Sequence, residues 1–435
     1  MSSTNDDPSE SSHTPHDHGM AHPGEHHHST SPALPVTFAE IWQAEQFLKP
    51  LIAHTPLIHS RVLSTLSEAE IYLKFEQMQR GGSFKVRGAL YKLSQLSETQ
   101  RRTGVITASA GNHAQGVAIA AAHYGVPCTI VVPENAPLTK VTATQSYGAQ
   151  VVLHGATYDD AVHYCSELQQ ELGATYIPAF DDLDIVRGQG TLGLEMLQHL
   201  PNADAIVVPI GGGGLISGIA IAARAINPAI SIIGVEARGA ASMQASIKAG
   251  QLQTLPALAT IADGIAIKQP GKITFPLIQQ LVDDIVLVSD EQIIHAVLLL
   301  MERHKILIEG AGAAGVAAVL DETPQFKHKR VLIPLTGGNL DINLLGRFTE
   351  HGLVNANRYF ALHVSMPDRP GELARMLNIL ADMRVNILDV HYQRVSSHKP
   401  FMQHEALITL ETRNRLQCEE ILQTLHAAGY AVDEA

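Results

Sequence analysis

The stretch "AIVVPIGGGGLISGIA", residues 205–220, indicates the class of fold. Its apolar, partly β-branched start predicts a buried strand, four glycines follow at once, and a helix-like apolar pattern begins after them. Similar short strands alternate with helix-period segments from Ala69 to Thr336. Repeated strand-then-helix order is typical of parallel sheets that helices cover on both faces. We therefore predict an α/β fold, with strands at 71–75, 104–108, 128–132, 151–153, 205–210, 231–236, 305–308 and 330–335.

Four of the predicted strands end in glycine-rich turns. The turns are "SAGNHAQG" (109–116), "GGGG" (211–214), "EGAGAAG" (309–315, after "KILI" at 305–308) and "TGGN" (336–339). In parallel sheets, ligands bind beyond the carboxyl ends of the strands, where helix N-termini offer free N–H groups. A further loop, "RGGSFKVRGA" at 80–89, places Lys85 at the start of a predicted helix. We expect these loops to converge on one planar, anionic ligand.

The GGGG turn is suited to a phosphate because four successive backbone N–H groups can approach a ligand without Cβ atoms in the way. A merely flexible turn is the alternative, although four glycines carry a large entropy cost. A nucleoside triphosphate loop would continue with Gly-Lys-Ser/Thr, and Leu215, Ile216 and Ser217 do not supply it. The segment "GAGAAG" has the G-x-G-x-x-G spacing of a dinucleotide-binding motif. In that motif a carboxylate at the end of the next strand binds a ribose, and the next strand here ends without one. The glycines of this segment, Gly310, Gly312 and Gly315, are therefore interpreted as helix-packing residues.

The overall composition disfavours several classes of partner. The chain has 435 residues, with 30 Lys and Arg against 43 Asp and Glu, and its net charge of −13 argues against nucleic acid. No apolar run is long enough to cross a bilayer, so no membrane partner is expected. The three cysteines (Cys128, Cys165 and Cys418) suggest neither a disulfide framework nor a cysteine zinc site. We expect a protein of the reducing cytoplasm.

The two ends of the chain differ from the α/β region. Residues 1–35 are rich in Ser, Pro, Asp and His, and we expect a disordered tail, with a transition-metal site at the histidines 26–28 as the weaker alternative. Residues 357–435 read as strand, helix, strand, strand, helix, strand, the order of a ferredoxin-like α+β domain. The main domain is expected at 36–350, with a smaller subdomain at about 83–179 inserted in it.

Six motifs in this order resemble fold-type II pyridoxal phosphate enzymes, most closely threonine dehydratases (threonine ammonia-lyases). They are "GSFKVRGA", "SAGNHAQG", "GGGGL", "TIADGIAIKQPG", "EGAGAAG" and "LTGGN". "MPDRPGELARML" followed by "VNILDV" is similar to an ACT regulatory domain. The resemblance covers residues 36–435. It implies two parallel-sheet subdomains, pyridoxal 5'-phosphate as cofactor, and loss of water and ammonia from L-threonine, and also from L-serine, in a pathway such as isoleucine biosynthesis.

The resemblance also assigns roles to residues. Lys85 would hold the cofactor covalently and take the Cα proton of the substrate, and a mobile, partly desolvated lysine is what that chemistry requires. The other cofactor contacts would be Phe84, Asn112, Gly211, Gly212, Gly213, Gly214, Leu215, Glu309 and Thr336. Ser109, Gly111, Asn112 and His113 would bind the substrate carboxylate. An isoleucine or valine effector would bind at Asp368, Arg369, Pro370, Gly371 and Asn386 in a homodimer or homotetramer.

Several alternatives stay open at this point. A serine or aspartate racemase could use the same scaffold, but the position where related racemases carry a second-face serine is Ala110, next to Ser109. An amino-acid sensor dominated by the ACT-like module is a third hypothesis. Some members of the family bind a cation after the strand that ends in Glu236. Glu236 and Ala240 could contribute here, but Ser242 replaces an acid, so no metal site is predicted.

Overall fold

The computed structural model describes residues 34–321, 324–393 and 403–435. The predicted histidine cluster at 26–28 lies outside the described residues. Fourteen strands are present in the described part of the chain: β1 (Leu57–His59), β2 (Glu70–Lys74), β3 (Val105–Ala108), β4 (Cys128–Val132), β5 (Gln150–Leu153), β6 (Thr175–Tyr176), β7 (Ala205–Pro209), β8 (Ser231–Ala237), β9 (Asp284–Val288), β10 (Arg330–Pro334), β11 (Tyr359–Pro367), β12 (Asn386–Gln393), β13 (Gln403–Glu411) and β14 (Ala431–Glu434).

Sixteen α-helices accompany these strands in the same described ranges. They are α1 (Phe38–Leu48), α2 (Arg61–Ser67), α3 (Lys85–Ser94), α4 (Glu98–Thr103), α5 (Asn112–Tyr124), α6 (Leu138–Ser146), α7 (Tyr158–Leu172), α8 (Leu183–His199), α9 (Gly214–Ile226), α10 (Ser242–Ala249), α11 (Thr274–Leu281), α12 (Asp290–Leu299), α13 (Gly310–Leu320), α14 (Ile342–Asn355), α15 (Glu372–Asp382) and α16 (Arg415–Ala427). None of them combines the length and apolar character that crossing a bilayer requires.

The largest sheet has six strands in the order β1-β2-β10-β7-β8-β9. Only β1 runs antiparallel to its neighbour, and the other pairs are parallel. Apolar residues of α12 and α13 pack in one cluster with this sheet, and those of α8 and α9 pack in another. Helices therefore cover both faces, as the alternating pattern predicts, and the carboxyl ends of β7 and β10 open on the same edge.

A second parallel sheet has the order β5-β4-β3-β6 and is built from chain that lies between β2 and β7. Its core includes α3 and α5, and α5 is buried from His113 to Ala121, a stretch of mostly small and apolar residues. Gly125 ends α5 in the left-handed conformation that favours glycine. The four strands of this sheet lie within residues 83–179, and the inserted subdomain with those bounds stays a prediction.

The C-terminal region forms an antiparallel sheet in the order β12-β13-β11-β14. With α15 and α16 the chain order is βαββαβ, and Leu362, Val364, Ile408 and Leu410 are buried beneath those helices. The ferredoxin-like arrangement predicted for residues 357–435 is therefore present.

Seven predicted strands are confirmed to within one residue at each end, and one prediction is wrong. Residues 305–308 (KILI) are not a strand, because Lys305 adopts a left-handed conformation after a π-helical turn, Leu300–His304. Strand β10 is paired with β2 on one edge and with β7 on the other, so residues 305–308 cannot pair with it as a further strand. Strands β1, β6 and β9 were not predicted from the sequence.

A buried network of charges connects α3 to the large sheet. Arg87 donates to Glu76 (2.7 and 2.8 Å) and to Glu195 (2.6 and 3.0 Å), and Lys74 lies 2.8 Å from Glu195. The Thr55 hydroxyl also donates to Glu76 at 2.5 Å. Two positive and two negative side chains thus compensate each other in the interior, where unpaired charge is costly. The network fixes α3 two residues beyond Lys85.

Candidate active site

The loop that presents Lys85 is held against the end of β10. Gly81 and Gly82 adopt φ values of 72° and 71°, which glycine tolerates without strain. Ser83 forms an antiparallel bridge with Gly337, and the Phe84 N–H donates to the Thr336 carbonyl at 3.2 Å. The "RGGSFK" and "TGGN" segments are therefore joined by backbone hydrogen bonds.

The Lys85 amine is buried between these loops. Its Nζ donates to the Ala179 carbonyl at 2.9 Å and lies 5.2 Å from the centre of the Phe84 ring. Burial lowers the pKa of Lys85 to about 8, although the Glu309 carboxylate acts in the opposite direction. With a pKa of about 8, roughly a tenth of this amine is neutral at pH 7 and half at pH 8, and the neutral form is the one that acts as a nucleophile or a proton acceptor.

Asn112 and Glu309 form a hydrogen-bonded pair in the same cleft. The Asn112 Nδ2 donates to Glu309 Oε1 at 2.6 Å, and the backbone at Gly337 lies so close that a Cβ there would be 2.3 Å from that oxygen. Burial raises the pKa of Glu309 to about 7, and the Asn112 hydrogen bond opposes this effect. The carboxyl group is therefore poised between its neutral and ionised forms.

The GGGG turn forms the N-terminus of α9. Gly213 has φ 96°, and a Cβ on Gly212 would lie 2.2 Å from the Phe180 ring. A Cβ on Gly214 would lie 2.9 Å from the Phe180 carbonyl. These positions require glycine, and the free N–H groups of Gly214 and Leu215 belong to the first turn of a 13-residue helix. A helix N-terminus of this kind fits a phosphate.

Ala179 and Phe180 lie between two of the predicted site elements. Ala179 accepts the hydrogen bond of Lys85, and the neighbouring Phe180 packs on the glycine turn. Lys85 and the glycine turn are thus brought to the same cleft. Neither Ala179 nor Phe180 was predicted as a site residue, because a backbone carbonyl and an apolar ring have no chemical signature in the sequence.

The residues expected to bind a substrate carboxylate lie at the start of α5. The Gly111 N–H donates to Ser109 Oγ at 3.3 Å. His113 is buried, and its Nε2 lies 2.9 Å from the Ile177 carbonyl; burial lowers its pKa to about 3. The His113 ring is therefore neutral and already engaged with the Ile177 carbonyl, which leaves the backbone N–H of His113 to contact a carboxylate.

Thr336 lies two residues beyond the end of β10 and is buried. A hydroxyl at the end of this strand, beside the Lys85 loop, agrees with a place next to a cofactor ring. The three glycines of "GAGAAG" belong to α13, where a Cβ on Gly312 would lie 2.6 Å from the Gly337 carbonyl and one on Gly315 would lie 2.8 Å from Ile333. The helix-packing interpretation of these glycines agrees with both distances.

A segment at 261–272 crosses from the large sheet to the smaller one. Asp263 lies 3.0 Å from Lys140 of α6, and Lys268 lies 2.5 Å from Asp159 of α7. A Cβ on Gly211 would lie 3.1 Å from the Ile265 Cα, so the segment also packs on the glycine turn. It therefore bridges the two parallel sheets at the cleft.

Glu236 is engaged by the protein itself. Its two carboxylate oxygens accept the N–H groups of Met243 and Gln244, each at 2.8 Å, at the start of α10. Burial raises the pKa of Glu236 to about 7. Within the ranges that the structure describes, no cluster of three or more His, Cys, Asp or Glu could hold a metal ion.

The predicted regulatory residues lie in the C-terminal sheet. Asp368 precedes α15 and lies 2.5 Å from His404 Nε2, and Gly371 has φ 93° directly before that helix. At the start of β12, Asn386 donates to Glu411 at 2.9 Å. The turn and Asn386 thus belong to one module, apart from the Lys85 cleft.

Comparison with known proteins was informative for most of the chain. The family model described as "Pyridoxal-phosphate dependent enzyme" matches residues 48–337. An L-threonine ammonia-lyase of Thermotoga maritima is 44% identical over 397 residues, which cover 91% of this chain and 99% of that protein.

Two solved structures are also similar. The processed form of threonine deaminase isoform 2 from Solanum lycopersicum has a TM-score of 0.69 and 37% identity, covering 72% of this chain and 92% of that one. The structure of maize serine racemase has the same TM-score, 0.69, and is 36% identical in sequence; the match covers 74% of this chain and 99% of that one. The same architecture thus occurs in proteins named for two different reactions.

Proposed function

The chain belongs to the family of pyridoxal-phosphate dependent enzymes, and from this premise we propose that it is a lyase that deaminates L-threonine. In this reaction threonine loses water across Cα and Cβ, and hydrolysis of the product releases 2-oxobutanoate and ammonia. L-Serine, which also carries a β-hydroxyl, would give pyruvate in the same way. The cofactor is pyridoxal phosphate, whose ring, when bound, withdraws electrons and makes the Cα proton of an attached amino acid acidic.

One observation carries the proposal: a buried amine of lowered pKa lies in a cleft that also contains a glycine-lined helix N-terminus. We assign Lys85 to hold the cofactor and to accept the Cα proton, because its neutral form is accessible near pH 8. The N–H groups of 211–215 would hold the phosphate. The four glycines of this turn have no Cβ atoms to keep a phosphate away from their N–H groups, which supports that fit.

The remaining assignments follow from the neighbourhood of Lys85. Asn112 would donate to the ring hydroxyl, with Glu309 behind it, and Phe84 would pack beside the ring. Thr336 would face the ring nitrogen. Because a threonine hydroxyl is not a carboxylate, it does not hold that nitrogen in its protonated form as firmly, which favours early loss of the β-hydroxyl over transamination.

Replacement of Lys85 tests the assignment. Lys85→Ala should abolish release of 2-oxobutanoate from L-threonine, and the exposed Lys49→Ala should retain it. Borohydride reduction of the wild-type holoenzyme followed by peptide mapping should place the cofactor on Lys85. Cofactor found on another lysine, or turnover by Lys85→Ala without added amines, would overturn the assignment.

The racemase alternative rests on the likeness to maize serine racemase. A racemase must return a proton to the face of Cα opposite Lys85, and a hydroxyl in the loop before Asn112 could do so. This chain has Ala110 at that position, and its methyl group cannot donate a proton. We therefore assign elimination as the main activity.

We further propose that the C-terminal module binds a branched-chain amino acid, isoleucine or valine, in a homodimeric or homotetrameric enzyme of the cytoplasm. The free N–H groups at the start of α15 are suited to a carboxylate. The match to the Thermotoga maritima relative spans 397 residues, so it cannot omit the whole of this 79-residue module. Feedback by isoleucine would suit an enzyme of its biosynthesis.

Two glycines of the module provide a matched test of effector binding. Gly371 and Gly429 have positive φ values of 93° and 90°, and a Cβ added at either position would meet no other atom. Alanine should therefore strain the backbone equally at the two positions, by about 1 kcal/mol, without steric overlap. Gly371→Ala should weaken isoleucine or valine binding measured by calorimetry, whereas Gly429→Ala should not. Equal affinities in the two variants would argue against the turn at 368–371.

A further inference from the structure

Asn339, the last residue of "TGGN", lies where three loops of the cleft meet. Its Nδ2 donates to Asn112 Oδ1 at 2.8 Å and to the Gly81 carbonyl at 2.8 Å, and it lies 3.5 Å from Gln115 Oε1. A single side-chain amide therefore connects the segment after β10, the first turn of α5 and the loop that leads to Lys85. Asn339 was not among the predicted site residues.

Gly82, in the loop before Lys85, packs directly against this amide. A Cβ on Gly82 would lie 2.5 Å from Asn339 Oδ1 and 3.0 Å from its Cγ, so any larger residue there would displace the side chain. The Gly338 N–H donates to the Gly82 carbonyl at 2.9 Å and holds the same segments together. Packing and hydrogen bonding thus both place Asn339 against the Lys85 loop.

Asn339 also determines how the Asn112 amide is oriented. An asparagine side chain has one oxygen that accepts and one nitrogen that donates. Because Asn339 presents a donor to Asn112 Oδ1, the Asn112 Nδ2 is directed to the other side, where Glu309 Oε1 accepts at 2.6 Å. If the Asn112 amide were turned over, its Nδ2 would face the Nδ2 donor of Asn339 and its Oδ1 would face the Oε1 acceptor of Glu309.

We propose that Asn339 is a positioning residue of the cofactor site: it fixes the Asn112 amide with its N–H groups toward the cleft and ties Asn112 to the Lys85 loop. The proposal rests on the assignment of Lys85 and Asn112 given above. Asn339 contacts neither reacting atom, and it acts through Asn112 and through the carbonyl of Gly81. Its effect should therefore be visible in cofactor binding as well as in turnover.

The test is Asn339→Asp, which keeps the shape of the side chain and removes both of its donors. The introduced carboxylate would face two acceptors, Asn112 Oδ1 and the Gly81 carbonyl, and would favour an Asn112 amide that is turned over. Titration of the apoenzyme with pyridoxal phosphate should give a Kd raised about tenfold to a hundredfold, the loss expected for one or two hydrogen bonds. Asn343→Asp makes the same change at an exposed position of α14 and should leave the Kd unchanged.

Two further readouts separate positioning from a general loss of structure. Protonation of the introduced carboxylate restores one donor, so the ratio of the variant's Kd to that of the wild type should fall as the pH is lowered. In an Asn112→Ala background the same substitution should raise the Kd by a smaller factor than it does in the wild type, because only the contact with the Gly81 carbonyl is left to lose. Asn339→Ala, which removes the donors without adding charge, should weaken cofactor binding in the same direction.

An Asn339→Asp Kd equal to that of the wild type would overturn the proposal. So would a loss that does not change with pH and stays the same without the Asn112 amide. Failure of the functional assignment would look different, because borohydride reduction would then place the cofactor on a lysine other than Lys85. The two failures are thus distinguishable in one set of preparations.

Discussion

Glu195→Gln removes one negative charge from the buried network beside α3. Glu195 Oε1 accepts from Arg87 at 2.6 Å, and its Oε2 accepts from Arg87 at 3.0 Å and from Lys74 at 2.8 Å. Whichever way a glutamine amide turned, its NH2 group would face a positively charged donor. Two cations would then share Glu76 alone, in an interior that water does not reach.

The magnitude follows from the pKa of Glu195. Burial acts to raise it, but Arg87 and Lys74 outweigh burial and lower it from 4.5 to about 2. At about 1.4 kcal/mol for each pH unit, this difference corresponds to roughly 3 kcal/mol of stability. Removal of one partner from a buried ion pair typically costs about 3–5 kcal/mol, which agrees. We expect Tm to fall by several degrees, at about 2 °C per kcal/mol for a chain of this size.

The pH dependence gives the sign of the effect. A carboxyl whose pKa is lower in the folded state contributes its full stability above the unfolded pKa, about 4.5, and loses it as the pH falls toward about 2. The Tm difference between wild type and Glu195→Gln, measured by calorimetry, should therefore be constant near neutral pH and shrink below about 4.5.

The exposed pair of Glu98 and Arg102, 3.9 Å apart, provides the control for this experiment. Glu98→Gln removes the same charge where water screens it, and Tm should hardly change. If Glu195→Gln had the same Tm as the wild type at neutral pH, the network would not be a source of stability and the prediction would be wrong.

Three further predictions concern the cleft. Burial lowers the pKa of Lys85 to about 8, so the rate at which apoenzyme recombines with pyridoxal phosphate should rise with pH and become constant above about pH 8. This rate can be measured by absorbance, and a rate independent of pH would contradict the prediction. Wild type should form negligible D-serine from L-serine and Ala110→Ser measurable amounts by chiral chromatography, whereas abundant D-serine from wild type would refute the lyase assignment. Lys268→Asp should raise KM for threonine slightly, because it removes the exposed ion pair with Asp159 that connects the two parallel sheets, and adding Asp159→Lys should restore KM; no restoration would mean that this pair does not support the cleft.

The regular elements were predictable because their local patterns agree with the final structure. The β-branched runs at β4, β7 and β10 are buried on both faces, so the sequence shows them as continuous apolar stretches. The short β1 and β6, three and two residues long, are defined by pairing rather than by pattern. The error at 305–308 has the same origin, since an apolar run becomes a strand only where a neighbour is open.

The family and the cofactor were predicted correctly from the sequence, and the comparisons confirm both. The supporting contacts of the cleft could not be predicted in this way. Asn339 and Ala179 act through one amide and one carbonyl, and their importance depends on distances to residues more than 90 positions away. Such contacts exist only once the two parallel sheets have come together.

The titratable groups of the cleft differ in one respect from those of the buried network. Lys85 and His113 have lowered pKa values and Glu309 a raised one, so burial drives all three toward their neutral forms. Glu195 stays charged because cations surround it. The cleft therefore brings little fixed charge of its own to the ligand. We infer that the negative phosphate is met chiefly by the N–H groups that begin α9, a dipolar site whose strength does not depend on pH, while Lys85 remains free to gain and lose a proton.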